Sequence, residues 1–498
     1  MDELSPPEWM DEGPPPGADD APVVGKASAS NMLGFHLSDM GNAGRLVALH
    51  GTALRHVSSI GWHYWAGTHW EVDRLNRVQE AAKHTIAEFR AAAERFLAKA
   101  EGDDQKAIGK AICKFAGQSE NAGRIANMIT LASSDPLVSR TPDDLDAHPY
   151  LLNVANGTID LRTGALRPHS LDDLLTICAP ASLRPWAELP TQSVLGAFLQ
   201  SVQPDLETQA FLWRCIGMSL IGEQRDHVVL FAYGEGGNGK GTWFRMAKAA
   251  LGKYFCAIPS DMLIEKQNKA HAAQTAQLMG KRLVVADELP TGRSFDAAEV
   301  KRLSGGDDIP AQFMRQNWFN FKPSHTLWLQ GNDKPHTSAG DYGMWRRMKL
   351  IAWNTKVVAV DNDLDAKLDA ERDIVLRMAV DGAVEYLRAG LGCCAEVEAA
   401  TKAYKDDEDS IGQFIAECCD RGEAYKCPRP SLRAAIDRWW KDEGKMKAPS
   451  NQTLKNDFAK RGIVAGRAHG QAWHWVGIRL NDETSRQVAQ TEDRWGYQ

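Results

Sequence analysis

The stretch from residue 228 to residue 251 constrains this chain more than any other. It reads VVLFAYG, then EGGNGKGT, then WFRMAKAAL. The first run is apolar, β-branched and aromatic without alternation, which is the pattern of a strand buried on both faces of a sheet. It stops at a cluster of glycines and continues into a segment with helical spacing, so the unit expected is strand, tight loop, helix in an α/β fold. Glycines in such a loop let successive backbone N–H groups turn inward, and the helix N-terminus adds partial positive charge. This is the pattern of a phosphate-binding loop (P-loop). The predicted cofactor-binding residues are Gly234, Glu235, Gly236, Gly237, Asn238, Gly239, Lys240, Gly241 and Thr242, with Lys240 reaching the β- and γ-phosphates of ATP. Gly241 stands where a Ser or Thr normally ligates Mg²⁺. Thr242, one place later, is expected to take that role directly or through a water.

Two more buried-strand patterns follow, LVVADE at 283–288 and TLWLQGN at 326–332, with helical stretches between them. Asp287 and Glu288 close the first. At the C-terminal edge of a parallel strand, Asp287 is expected to hold Mg²⁺ through water and Glu288 to orient the attacking water. Asn332 closes the second and is expected to contact the γ-phosphate or that water. Next comes DYGMWRR at 341–347, where Arg346 or Arg347 is the candidate for an arginine placed against a neighbouring subunit's γ-phosphate.

Charge and length place this core within a longer organisation. The 498 residues suggest two to four domains. Residues 1–30 are expected to be an acidic, Pro-rich flexible tail. Seven of the chain's 65 acidic residues lie in 1–25, which leaves the remainder balanced against 58 lysines and arginines. Between Tyr425 and Leu480 there are 12 lysines and arginines against 4 acids, a basic module compatible with DNA. An α+β region is expected at 31–195, with a β-hairpin in GWHYWAGTHW (61–70), helices over 72–134, and two short strands in LLNVANGTIDLRTGALRPH (151–169). The ATPase core is assigned to 196–360, a helical extension to 361–409, a small domain to 410–482 and a tail to 483–498. Nine cysteines without a CxxC spacing indicate reduced thiols rather than a zinc site or a disulfide framework. No apolar run reaches membrane-spanning length and the N-terminus is not a signal peptide, so a soluble, cytoplasmic protein without membrane contact is expected.

GEGGNGKGT, LVVADE, KRLSGGDDIPAQFMRQ and TLWLQGN followed by DYGMWRR, in this order, resemble superfamily 3 helicases. More narrowly they resemble the D5-like helicase part of phage and plasmid primase–helicases of the P4 type. The resemblance implies a P-loop, AAA+-like core, a ring-forming homo-oligomer (a hexamer) and 3′-to-5′ travel. It also implies a strand pair within 301–316 that carries a DNA-contacting loop, with Lys301, Arg315 and Lys322 as the basic candidates. GNAGRLVALHG, GWHYWAGTHW and the 151–169 segment resemble the domain that precedes the helicase in this family. SLRAAIDRWWKDEGK, APSNQTLKNDFAKRG and GQAWHWVGIRL resemble its winged-helix end. There Ser450 would cap a helix presenting Lys455, Lys460 and Arg461 to DNA, with Arg467 and His469 in the wing. Members of the fused kind carry a primase domain before this region. No paired metal-binding carboxylates or zinc ligands precede Asn31, so a separately encoded primase is the expected partner.

The function expected from these readings is an ATP-dependent DNA helicase for replication of a phage, prophage or plasmid, acting on single strands and forks. The alternatives are a DNA-binding initiator or loader ATPase without processive unwinding, and a regulatory ATPase whose partner is a protein.

Overall fold

The computed structural model describes residues 29–190, 192–265, 272–287, 293–312, 318–337, 341–357, 361–444, 448–466 and 473–495. They form two compact units. The first runs to Ala147 and takes in Leu171–Thr176; the second comprises His148–Ser170 and everything from Ile177 onward.

In the first unit, four helices (Asp39–His50, Arg77–Ala98, Asp103–Ser119 and Ala122–Ala132) accompany a small sheet. The sheet runs in the order Trp70–Val72, Gly61–Trp65, Leu54–Val57, Ser139–Arg140. The expected hairpin is present, with Trp65 opposite Trp70. Arg45, from the GNAGRLVALHG segment, is fully buried. Its guanidinium donates to the carbonyls of Met32 (2.7 Å) and Phe35 (2.7 Å) and lies 3.9 Å from the centre of the Phe89 ring. A buried cation is tolerated where carbonyls and an aromatic face replace its water.

The second unit is built on five parallel strands in the order Met348–Ala352, Val229–Tyr233, Thr326–Gly331, Leu283–Asp287, Phe255–Pro259. Successive side chains point to opposite faces. Leu230, Ala232, Leu283, Val285 and Trp328 pack on one face with the helices Leu206–Leu220, Lys240–Leu251 and Arg372–Ala389. Val229, Phe231, Val284, Ala286, Leu327 and Leu329 pack on the other, against Val300, Leu303, Met344 and Tyr404. Covering both faces is what the unalternating apolar runs required. Two helices on the first face meet through glycines. A Cβ on Gly217 would lie 2.1 Å from the Ala383 nitrogen, and one on Gly382 would lie 2.1 Å from the Trp213 carbonyl oxygen.

The division between the two compact units falls after Ala147. The segment 151–169 forms three antiparallel strands, not two: Leu151–Val154, Gly157–Asp160 and Ala165–Arg167. They belong to the second unit, where Leu152, Val154 and Ile159 join the same core as helix Lys240–Leu251.

At the C-terminal end, a helix Ser410–Cys418, a strand Cys419–Pro428 and helices Arg429–Asp442 and Asn451–Lys460 are followed by strands Val464–Gly466 and His474–Leu480. The three strands pair in the order Cys419–Pro428, His474–Leu480, Val464–Gly466. Within the expected 483–498 tail, helix Asp482–Trp495 forms, and its Val488 is buried with Trp439 and Trp440 in this domain's core.

Trp328 is the largest side chain on the central strand. It is fully buried, its indole N–H donates to Ser219 Oγ (2.9 Å), and Phe244 meets it edge-to-face at 5.5 Å. Trp328→Ala removes ring contacts and leaves a cavity, a change that costs about 3–5 kcal/mol. Urea unfolding should show that loss; a loss below about 1 kcal/mol would mean the sheet does not depend on this face.

Candidate functional site

The parallel sheet brings the C-terminal ends of its strands to one edge, and most of the predicted site residues lie there. Strand Val229–Tyr233 ends in the glycine-rich loop, and Lys240 begins the helix that follows. Gly239 caps that helix at φ 86°, and a Cβ there would lie 2.7 Å from Val202 Cγ1, so no other residue fits without displacing its neighbours. Gly234 and Asn238 are buried and form the floor, whereas Glu235, Gly236 and Gly237 are exposed at the rim.

Lys240 is 4% exposed. Its ammonium donates to the carbonyls of Gly234 and Glu235, to Asn238 Oδ1 (3.0 Å) and to Asn332 Oδ1 (3.2 Å). All four acceptors are neutral. Burial without a carboxylate pushes the amine down to about 8. A cation held only by neutral oxygens at the bottom of a glycine cradle suits a chain of phosphates, whose charge would complete it.

The order of the strands explains how Asn332 comes to lie beside Lys240. Thr326–Gly331 lies between Val229–Tyr233 and Leu283–Asp287, so Asn332 stands between Lys240 and the end of the strand carrying Asp287. Asp287 is exposed at that strand end. Glu288 lies outside the described residues. Thr242 is half-buried, and its hydroxyl accepts from Arg245 (2.9 Å), which also pairs with Asp365 (2.8 Å). Gly241 precedes it on the same first turn, where a Cβ would be 3.0 Å from the flexible end of Arg245.

The other flank of the loop is formed by residues that sequence reasoning missed. The Trp353 carbonyl accepts from Asn238 Nδ2 (2.6 Å), and the Val357 N–H donates to Gly237 (2.9 Å). A cavity of about 290 Å³ opens here, lined by Tyr233, Gly234, Glu235, Gly236, Asn238, Trp353, Asn354 and Lys356. The available signal was MKLIAW at 348–353, a fifth apolar run whose end shares the edge of the other four.

Arg346 and Arg347 lie at the opposite edge. The Arg347 carbonyl accepts from the Val229 N–H (2.8 Å), at the start of the strand whose far end carries the glycine loop. Five strand residues separate the two edges, about 15 Å. Neither arginine reaches Lys240 within one chain. Arg346 is exposed and makes no side-chain hydrogen bond or ion pair among the described residues. Arg347 is half-buried, donates to the Gly343 carbonyl (3.0 Å), and has a buried Nε without an acceptor.

The predicted DNA-contacting residues separate. Strands Ile309–Gln312 and Trp318–Phe321 form an antiparallel pair, as expected. Arg315 falls in the connecting segment, outside the described residues, and Lys322 is exposed at the opposite end of the pair. Lys301 is not on the hairpin. It sits on helix Ala297–Leu303 with its ammonium 2.6 Å from Asp341, an ion pair that fixes the short helix Tyr342–Trp345. Trp318, 64% exposed beside the hairpin's connecting segment, is a ring the sequence reading passed over. In the C-terminal domain Ser450 does cap helix Asn451–Lys460, accepting from Thr453 N–H (3.1 Å), and Lys455 and Lys460 are exposed. Arg461 is instead held by Asp409 (2.6 Å) and Asp457 (2.5 Å). Arg467 and His469 lie outside the described residues.

Comparison with known proteins places this architecture. A family model described as D5 N terminal like matches residues 43–204, and one described as a family of unknown function (DUF5906) matches 232–347. Among curated relatives, a "Putative helicase" of Acanthamoeba polyphaga mimivirus is 24% identical over 340 residues, covering 63% of this chain and 35% of that protein. A "Putative helicase" of Frog virus 3 is 24% identical over 400 residues, covering 63% and 41%. A "Putative primase" of African swine fever virus is 22% identical over 303 residues, covering 55% and 31%. The chain thus spans 31–41% of the length of these relatives. Among solved structures, the apo NrS-1 C-terminal region aligns at TM-score 0.41 and 11% identity, covering 71% of this chain and 88% of that one, too distant to carry an argument. Residues 43–204 of this α/β protein thus match the D5 N terminal like family, and the chain's curated relatives carry the names putative helicase and putative primase. No helix among the described residues is long and apolar enough to cross a membrane.

The Lys240 environment makes a pH-dependent prediction. With its amine at about 8, part of the population is neutral at pH 8.5, and a polyanion seated in the cradle restores the charge. Binding of ATP at pH 8.5 should therefore take up protons, and affinity should fall as pH rises through 8. Calorimetry in two buffers of different ionisation heat measures the uptake, and Lys240→Arg should abolish it. Equal uptake in the variant would place the titrating group elsewhere.

Proposed function

We propose that this chain is an ATP-dependent DNA helicase motor for replication of a phage, virus or plasmid, working as a homo-oligomeric ring, a hexamer. The observation that carries the reading is the meeting of Lys240, from the glycine-rich loop, with Asn332, from the strand inserted next to it, beside the strand that ends in Asp287. That juxtaposition supports a P-loop core of the superfamily 3, AAA+-like kind. The phosphates lie in the 234–242 cradle on Lys240, and the ribose and base lie towards Trp353, Asn354 and Lys356. Thr242 and Asp287 would hold Mg²⁺, which when bound neutralises charge on the β- and γ-phosphate oxygens. Asn332 orients the γ-phosphate or the water, and Glu288 polarises that water for attack.

The position of the arginines supports the ring. They occupy the edge of the sheet remote from the chain's own Lys240, so a role at a γ-phosphate requires the neighbouring subunit. A head-to-tail contact of that sort closes into a ring when its rotation permits. Arg346, exposed and unpaired among the described residues, is the finger, and Arg347 braces the turn through Gly343. The hairpin of Ile309–Gln312 and Trp318–Phe321, with Arg315 in its connecting segment and Lys322 at its base, would move single-stranded DNA by contacts to phosphates and by stacking on Trp318. A primase encoded separately would supply primers.

Strand displacement on a forked duplex tests the reading. Wild type should unwind with ATP and Mg²⁺. Lys240→Ala should abolish hydrolysis, and Arg346→Ala should lower kcat by about 10³ or more while nucleotide still binds. Arg347→Ala should chiefly lower thermal stability. Adding Arg346→Ala subunits to wild type should poison unwinding more than in proportion. Hydrolysis without any strand separation would replace the helicase by an initiator or loader ATPase, and no hydrolysis at all would end both.

A further inference from the structure

The C-terminal domain has a second feature that the motor does not use. A cavity of about 430 Å³ opens between the first turns of helices Arg429–Asp442 and Asn451–Lys460. Its floor is apolar, formed by Leu432, Ile436, Leu454 and Trp475, all buried. Its rim is polar and cationic, formed by Arg429, Arg433, Lys455, Asn451 and Gln452.

The rim cations differ in how they are held. Arg433 is paired with Asp437 (2.6 Å) and also donates to the Pro449 carbonyl (2.5 Å). Arg429 has no carboxylate partner among the described residues. Its guanidinium lies 4.7 Å from the Trp475 ring centre and 4.8 Å from that of Trp473, which fixes the plane, and its Nε is buried without an acceptor. Lys455 is exposed and likewise forms no ion pair among the described residues. A desolvated guanidinium donor that lacks an acceptor needs one from outside the chain. It also lies in the segment with 12 basic residues against 4 acidic ones, where an anionic partner is favoured.

We propose that this cavity seats one unstacked nucleotide of single-stranded DNA. Its base lies on the floor against Trp475, with its edge towards Asn451 and Gln452, and its phosphate lies between Arg429 and Lys455. An apolar floor with an aromatic wall and a cationic rim matches the two parts of a nucleotide, whereas a duplex groove contact would use the exposed helix face without a cavity. The inference rests on the reading that the chain works on DNA; it does not depend on hydrolysis by the glycine-rich loop.

The test is fluorescence anisotropy of the full chain, without nucleotide, on a labelled oligothymidylate and on a blunt duplex. Lys455→Gln and Arg429→Gln/Lys455→Gln are compared with Lys441→Gln, which removes one charge from the opposite end of helix Arg429–Asp442. The double variant should weaken single-strand binding by about tenfold or more and lower the salt slope by roughly 1–2. Duplex binding and Lys441→Gln should change by less than about threefold. Lys455→Gln, at an exposed position, should show part of the single-strand loss with an unchanged melting temperature, so unfolding of the double variant does not decide the matter. Unchanged single-strand affinity, an equal loss in Lys441→Gln, or a larger loss on duplex would each overturn the nucleotide seat. ATP hydrolysis measured without DNA reports on the motor separately.

Discussion

Strand Thr326–Gly331 lies hydrogen-bonded between Val229–Tyr233 and Leu283–Asp287, and Leu327, Trp328 and Leu329 are wholly buried. Burial on both faces leaves this strand no freedom to slip, because a one-residue shift would exchange its two faces. Register at the centre therefore fixes register at the edge. Asn332 meets Lys240, and Asp287 ends one strand away, because all three follow rigid strands of matched length. A site made of strand ends is more tightly specified than one made of loops, even where a residue such as Asp287 is itself exposed.

Lys240 illustrates how the fold stores a chemical demand. A lysine with four neutral acceptors is satisfied as a hydrogen-bond donor and unsatisfied as a charge. The depressed amine is the physical trace of that mismatch. Arg429 in the C-terminal domain is a second case, held flat by two tryptophans with a donor left over. Arg45 and Arg461 are the contrast. Their hydrogen bonds and ion pairs are supplied by their own chain, and so they serve the fold.

The sheet's two edges divide the labour. The C-terminal edge gathers Lys240, Asn332 and Asp287, and the N-terminal edge presents Arg346. Between them lies a core without room for a polar path, since Leu230, Phe231 and Ala232 are fully buried. In the proposed function these two edges would be complementary halves of a site, too far apart to meet in one copy. That separation supports the proposed assembly.

Much of this was legible in the sequence. Continuous apolar runs predicted buried parallel strands, and glycine spacing predicted the cradle, because these depend on local sterics and on a strand's own two faces. Ser450 was readable as a cap for the same reason: a helix N-terminus is solved within four residues. What tertiary structure decided were pairings between distant segments. Lys301 and Arg461 read as free cations until Asp341, Asp409 and Asp457 were brought to them, since ion pairs form across space and leave no period in the sequence. The segment 151–169 read as part of the N-terminal region, yet it packs on the second unit's core, because apolar side chains do not encode which core they join. The lining of the cavity beside the glycine-rich loop by Trp353, Asn354 and Lys356, and the pairing of Arg429 with Trp473 and Trp475, likewise exist only once strands far apart in the chain lie side by side.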